Sequence, residues 1–158
     1  MYLRALIVCV SKYYGNTLKV ANAMASVLDA QVFEPRKVRS EVVSEYDLVG
    51  FGSGIYFGKP DSSIFELIDQ IEPVNSKEAF IFSTRGRNSL FENKYHRDLK
   101  EKLSQKGFNV IGQFSCRGYS NYHSLFKLCG GVNKGYPRSK DLDNAKTFIQ
   151  KIGLTKIP

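Results

Sequence analysis

The sequence predicts an α/β protein built on a doubly wound, mainly parallel sheet with helices on both faces. Three observations carry that expectation. Five short apolar runs recur along the 158 residues, and segments of helical periodicity separate them. The runs are nearly continuous rather than alternating, as strands covered on both faces are. The length suits a single domain, 1–158.

The elements follow in order. Leu3 to Val10 is the first strand, and Leu18, Val20, Ala21, Met24, Ala25 and Leu28 recur at helical spacing after it. Gln31 to Glu34 is a short second strand, and Arg36 to Tyr46 a polar connector with a helical turn. Asp47 to Gly52 forms the third strand, ending in Ser53-Gly54. Ile64, Leu67, Ile68 and Ile71 mark a helix that Pro73 closes. Ala79 to Phe82 is the fourth strand, with a loop from Ser83 to Asn93. Tyr95 to Lys106 has helical composition, and Gly107 is placed to cap it. Phe108 to Phe114 is the fifth strand, and a long Gly-rich stretch runs from Ser115 to Lys140. Leu142, Ala145, Phe148, Ile149 and Ile152 stripe a last helix over 141–152.

Composition narrows the function classes. At 42% hydrophobic and 24% charged, the chain is neither disordered nor fibrous. Its longest apolar run, Ala5 to Val10, is far too short to span a bilayer, and no cleavage site follows the N-terminal residues. Cys9, Cys116 and Cys129 have no metal-ligand spacing, which fits a reduced, cytoplasmic setting. The net charge of +8 is unevenly placed: twelve Lys or Arg against three Asp or Glu fall between Arg85 and Lys140. That half could form one basic surface.

In a doubly wound sheet, ligands bind beyond the C-terminal ends of the strands, where the chain order reverses. Three loops lie there. Ser11-Lys12-Tyr13-Tyr14-Gly15-Asn16-Thr17 joins a strand directly to a helix and offers backbone amides and short polar side chains, a setting suited to one phosphate. It has neither the Lys-Ser/Thr pair of a triphosphate loop nor the three glycines of a dinucleotide turn. Asn16 and Thr17 are equally ordinary helix caps. Ser53-Gly54-Ile55-Tyr56-Phe57-Gly58, followed by Lys59, places two aromatics between glycines, where a ring can stack. Thr84-Arg85-Gly86, with Ser83 before and Arg87, Asn88 and Ser89 after, mixes hydroxyls, glycine and cations.

Val10-Ser11-x-x-x-Gly15-Asn16-Thr17, the run from Gly52 to Gly58, and Phe82-Ser83-Thr84-Arg85-Gly86 together resemble the FMN-binding loops of the flavodoxin family. The resemblance covers essentially the whole chain at short-chain length. It implies a flavodoxin-like five-stranded sheet in the order 2-1-3-4-5 and non-covalent FMN, its phosphate on the first loop and its ring between the second and third. The three residues between Ser11 and Gly15 are one more than the usual signature. That spacing is also similar to menaquinone-dependent protoporphyrinogen oxidase. Electron-carrier flavodoxins are usually acidic, whereas the loops here bring Lys12, Lys59, Arg85 and Arg87. Cations beside the ring favour its reduced anion, by about 60 mV per tenfold preference, so a less strongly reducing flavin is expected.

The remaining candidates are minor. His96 reads as a surface residue, and His123 as a proton-transfer group at a flavin rim. Cys9 reads as inert packing, and Cys116 with Cys129 as a conceivable redox pair. Tyr119, Tyr122, Phe126 and Tyr136 interleave with Arg117, Lys127, Lys134 and Arg138, a pattern for covering a cofactor or docking a partner. The leading expectation is an FMN redox protein passing electrons to an acidic protein partner or to a small acceptor of quinone or porphyrinogen type, as carrier or oxidoreductase. The alternative is a flavin-free binding module whose basic half engages an acidic partner, a membrane surface or nucleic acid. Nucleic acid is the weakest of these within such a fold.

Overall fold

The computed structural model describes residues 3–86, 92–121 and 127–154. Its centre is a five-stranded, all-parallel sheet in the order β2-β1-β3-β4-β5. The strands are β1 (Ala5–Val10), β2 (Gln31–Phe33), β3 (Leu48–Gly54), β4 (Lys77–Arg85) and β5 (Phe108–Arg117). The helices are α1 (Asn16–Leu28), α2 (Ser40–Val43), α3 (Ser62–Gln70), α4 (Glu92–Gln105) and α5 (Ser139–Leu154), with a 3-10 turn at Pro35–Lys37.

Alternation along the strands divides the core. Leu6, Val8, Val10, Val49, Phe51 and Ile81 face one side, where Ile64, Leu67 and Ile68 of α3 and Leu99 and Leu103 of α4 cover them. Ala5, Ile7, Cys9, Leu48, Phe80 and Phe82 face the other, under Val20, Ala21 and Met24 of α1 and Ala145 and Ile149 of α5. This two-sided burial is why the runs read as continuously apolar. On the α1 side, β3 carries Gly50 and Gly52, paired in register with Phe80 and Phe82. A Cβ at either glycine would come within 2.3 or 2.0 Å of the facing ring, so the glycines admit those rings.

Several bounds differ from expectation. β4 continues through Ser83, Thr84 and Arg85, which are strand residues rather than loop, because each pairs with β5 and the first two also with β3. β5 likewise extends to Arg117. Gly107 does terminate α4: its φ is +88° and a Cβ there would strike the Val74 carbonyl oxygen at 1.9 Å. His96 is not a surface residue. It lies on the face of α4 turned to β4 and β5 and is 3% exposed, with polar partners on both strands.

The connection between β1 and α1 and the connection after β3 diverge at the reversal of strand order, and β4 ends beside them. Beyond β5 the chain folds back across this end. An antiparallel bridge joins Ser120 to Val132, and the Asn133 side-chain amide donates to the carbonyls of Gly86 (2.7 Å) and Gly118 (3.2 Å). The excursion is thereby tied to the ends of β4 and β5.

Candidate functional site

β1 hands over to α1 through two left-handed residues, Tyr14 (φ 55°) and Gly15 (φ 65°). Gly15 occupies the N-cap and no side chain caps the helix, so its first-turn amides are not taken up by a capping side chain. Two buried polar atoms at this junction have no hydrogen-bond partner: the Ser11 hydroxyl and Asn16 Oδ1. Such atoms are costly unless a ligand or water completes them. The other half of the Asn16 amide donates to the Tyr119 carbonyl at 2.7 Å, and the Thr17 hydroxyl faces that of Thr84 at 2.8 Å. Both side chains therefore knit the loops together, beyond the simple capping role their positions also allowed.

After β3 the chain makes a tight turn. Tyr56 and Lys59 exchange backbone hydrogen bonds, and Phe57 (φ 51°) and Gly58 (φ 80°) between them are both left-handed, as in a type I′ turn. Phe57 stands at the tip, 78% exposed. Tyr56 instead folds back over Gly54, and its hydroxyl accepts from the Lys12 amide at 2.8 Å. The Tyr13 ring meets Tyr56 edge-on at 5.6 Å.

Lys12 does not reach the site as a spare cation. Its ammonium pairs with Asp61 at 2.5 Å and lies over the Tyr56 ring. Asp61 is buried and caps α3 through the Ser63 amide. Burial pushes the Asp61 carboxyl up, but hydrogen bonds from Lys12 and Ser63 outweigh this and hold it below the ordinary carboxylate range. The hydrogen bond to Asp61 raises Lys12 in turn. Ser53 is structural: its hydroxyl accepts from the Asp61 amide and donates to the Gly54 carbonyl.

These segments enclose a cavity of about 420 Å³ at the C-terminal end of the sheet. Of the residues expected at a ligand, Tyr13, Asn16 and Thr17 line it from the first loop, and Gly54, Ile55, Tyr56, Phe57 and Gly58 from the second. Thr84, Arg85 and Gly86 line it from the end of β4. Ser11, Lys12, Tyr14, Gly15 and Ser53 are not in its wall; the Tyr14 hydroxyl donates to Asn121 and its ring packs edge-on against Tyr119. Among the described residues, Arg85 is the charged side chain of the wall. It is 8% exposed and donates to the Ser115 hydroxyl at 2.7 Å.

The wall also contains Tyr95, Gly118, Tyr119 and Ser120. Tyr119 was legible as an aromatic among cations. Gly118 and Ser120 were hidden in a stretch without periodicity, and Tyr95 carried no signal beyond its place at a helix start. Arg87, Asn88, Ser89, Tyr122, His123 and Phe126 lie outside the described residues.

A family model described as a flavodoxin domain matches residues 6–126. The chain belongs to the flavodoxin family. FMN is the cofactor of flavodoxins, and membership makes this chain a flavodoxin-like redox protein. An uncharacterized protein of Methanocaldococcus jannaschii, MJ0298, is 45% identical over 150 residues, which is 95% of this chain and 98% of that protein. Among solved structures, a flavodoxin from the domain Archaea superposes with a TM-score of 0.70 at 18% identity, covering 97% of this chain and 98% of that one. Flavodoxin 2 from Bacillus cereus gives 0.72 at 16%, covering 96% and 99%. The rubredoxin oxygen:oxidoreductase of Desulfovibrio gigas gives 0.69 at 15%, covering 98% of this chain but 37% of that larger one. These likenesses establish the flavodoxin fold.

The cysteines behave as separate groups. Burial and the Glu34 charge push Cys9 up to about 12; burial, with a smaller effect of Asp141, does the same to Cys116. Cys129 is exposed, and all three are free thiols, so Cys116 is packed core rather than half of a formed pair. Among the described residues, no helix is long and apolar enough to cross a membrane and no group of side chains could hold a metal ion.

Proposed function

We propose that the chain holds one FMN in the cavity between β1, β3 and β4 and passes its electrons to an acidic protein partner or a small acceptor of quinone or porphyrinogen type. The observation that carries this reading is the pair of buried, partnerless polar atoms at the β1–α1 junction, Asn16 Oδ1 of the cavity wall and Ser11 Oγ just after β1. A phosphate ester with a hydroxylated chain supplies what they lack. The Ser11 hydroxyl and the first-turn amides of α1 donate to the phosphate, and Asn16 Oδ1 accepts from a ribityl hydroxyl. A Cβ at Gly58 would make only ordinary contact with the Tyr95 ring, at 4.0 Å, and Tyr56, Phe57 and Tyr95 in the wall are aromatic neighbours for a flat ring.

Bound FMN supplies reversible electron acceptance; the protein supplies position, dryness and charge. Arg85 is a cation in a wall that holds no carboxylate among the described residues, which supports a flavin site tolerant of negative charge. The contribution expected from Lys12 is cancelled by Asp61. The basic stretch over 85–140 supports an acidic partner, and the free thiols support a cytoplasmic setting.

The test is FMN titration of the apo protein, followed by quenching of flavin fluorescence. Ser11→Ala should leave apo stability within about 0.5 kcal/mol, since no bond is lost, while weakening FMN about tenfold. Phe57→Asn preserves the left-handed turn and should weaken FMN without unfolding the protein. A wild-type protein that takes up no FMN overturns the reading. Turnover with quinone or protoporphyrinogen, against reduction of an acidic carrier protein, separates oxidoreductase from electron carrier.

A further inference from the structure

Arg85 belongs to two cavities at once. It lines the one described above and a second, of about 370 Å³, whose wall also holds Ser115, Arg117 and Tyr136 together with Asp141 of α5. A continuous run of polar contacts leads from its guanidinium into the protein. Arg85 Nη1 lies 2.7 Å from the Ser115 hydroxyl, which is 3.0 Å from that of Ser83. Ser83 in turn is 2.7 Å from His96 Nε2, and His96 Nδ1 is 3.1 Å from Gln113 Oε1. Ser83, Arg85 and His96 are all buried.

Elementary donor counting orients this run. Gln113 Oε1 only accepts, so His96 Nδ1 carries a proton. In the neutral imidazole Nε2 then accepts, and the single Ser83 proton is committed to it. The Ser83–Ser115 contact must therefore be donated by Ser115, whose lone pairs face Arg85, a pure donor. With His96 neutral, every contact in the run therefore has a single direction. A charged His96 would donate to Ser83 instead, release that direction, and add a second buried cation beside the guanidinium.

We propose that His96 is a positioning residue for Arg85: in its neutral Nδ1–H form it terminates a one-way chain of serine hydroxyls that holds the guanidinium on the partition between the two cavities. The position matters because a cation at that partition sets how strongly the neighbouring site favours a negatively charged ligand. The consequence for flavin rests on the FMN reading; the chain itself does not.

Two measurements keep these apart. In the FMN-free protein at pH 7.5, 15N NMR should show His96 as the neutral Nδ1–H tautomer and the Arg85 guanidinium protons as slowly exchanging. Ser83→Ala, which leaves His96 in place, should speed that exchange severalfold. The opposite tautomer, or an exchange rate unchanged by Ser83→Ala, overturns the chain whether or not FMN binds. In the FMN-loaded protein, His96→Leu and Ser83→Ala should each reduce the preference for reduced over oxidised FMN about tenfold, equal to about 59 mV for one electron. His96→Gln, whose amide oxygen can accept from Ser83, should restore it to within about threefold. If Arg85→Gln lowers the preference and neither His96→Leu nor Ser83→Ala does, Arg85 acts without the chain and the proposal falls. Should His96→Leu fail to fold, Ser83→Ala alone decides.

Discussion

The hydroxyls of Thr17 and Thr84 lie 2.8 Å apart at almost no exposure, fastening the first turn of α1 to the end of β4. The two strands that bear these junctions are not neighbours, since β3 runs between them. The contact therefore spans the mouth of the sheet rather than continuing a ladder.

Breaking it should reveal coupling. Thr17→Val or Thr84→Val leaves the surviving hydroxyl without its partner and should cost about 1–3 kcal/mol in urea unfolding of the FMN-free protein. The double variant should cost less than the sum of the singles by about 1 kcal/mol or more. Additive costs would mean that the two hydroxyls do not depend on each other.

Gly52 tests the packing of the sheet. Its absent Cβ would lie 2.0 Å from the Phe82 ring, so Gly52→Ala should lower stability by about 1–3 kcal/mol. Adding Phe82→Leu to that variant should recover part of the loss, although Phe82→Leu alone destabilises. Failure to recover would place the strain elsewhere.

The Lys12–Asp61 pair makes stability depend on pH in a stated direction. Asp61 is held below its ordinary value in the folded state, so its contribution is complete above about pH 4 and is lost as pH falls through the lower folded value. Lys12 is raised, so its share is complete up to about pH 10 and is lost only above that. Asp61→Asn keeps an acceptor for the Ser63 amide while removing the charge. It should flatten the acid limb of the stability curve measured by urea melts from about pH 5 down to about pH 2. An unchanged limb would acquit Asp61.

Thiol reactivity should separate the cysteines sharply. With Cys9 and Cys116 buried and pushed to about 12, roughly one thiol in ten thousand is ionised at pH 8. A disulfide reagent should titrate one thiol rapidly in the native protein, Cys129, and three after denaturation. Fast reaction at two sites would show that Cys116 is accessible.

The parallel sheet was legible because β1, β3 and β4 are buried on both sides and therefore read as unbroken apolar runs; its strand order came only with the resemblance to the flavodoxins. Of the segments that line the cavity, those after β1 and β3 were legible from their place at the strand ends and from Gly15, Gly54 and Gly58. What escaped is tertiary. Ser83, Thr84 and Arg85 look like loop residues, and pairing with β5, and for the first two with β3, makes them strand. His96 sits in a helix of mostly polar residues, and nothing local shows that its ring enters the interior to meet Ser83 and Gln113. Lys12 reads as a loop cation until Asp61, 49 positions later, is brought against it. Gly118 and Ser120 are held at the cavity wall by partners distant in sequence, Arg85 and Asn133 for the first and Val132 for the second.

The turn that carries Phe57 has a consequence for recognition. Two backbone hydrogen bonds between Tyr56 and Lys59 fix the peptide on either side of that ring, while the ring itself projects into solvent. A molecule closing over this end of the sheet meets an aromatic surface whose main chain is already immobile, with only two side-chain torsions left to settle. Association there begins from a preorganised platform, and lengthening the turn by one residue would forfeit that advantage while leaving the ring's chemistry intact.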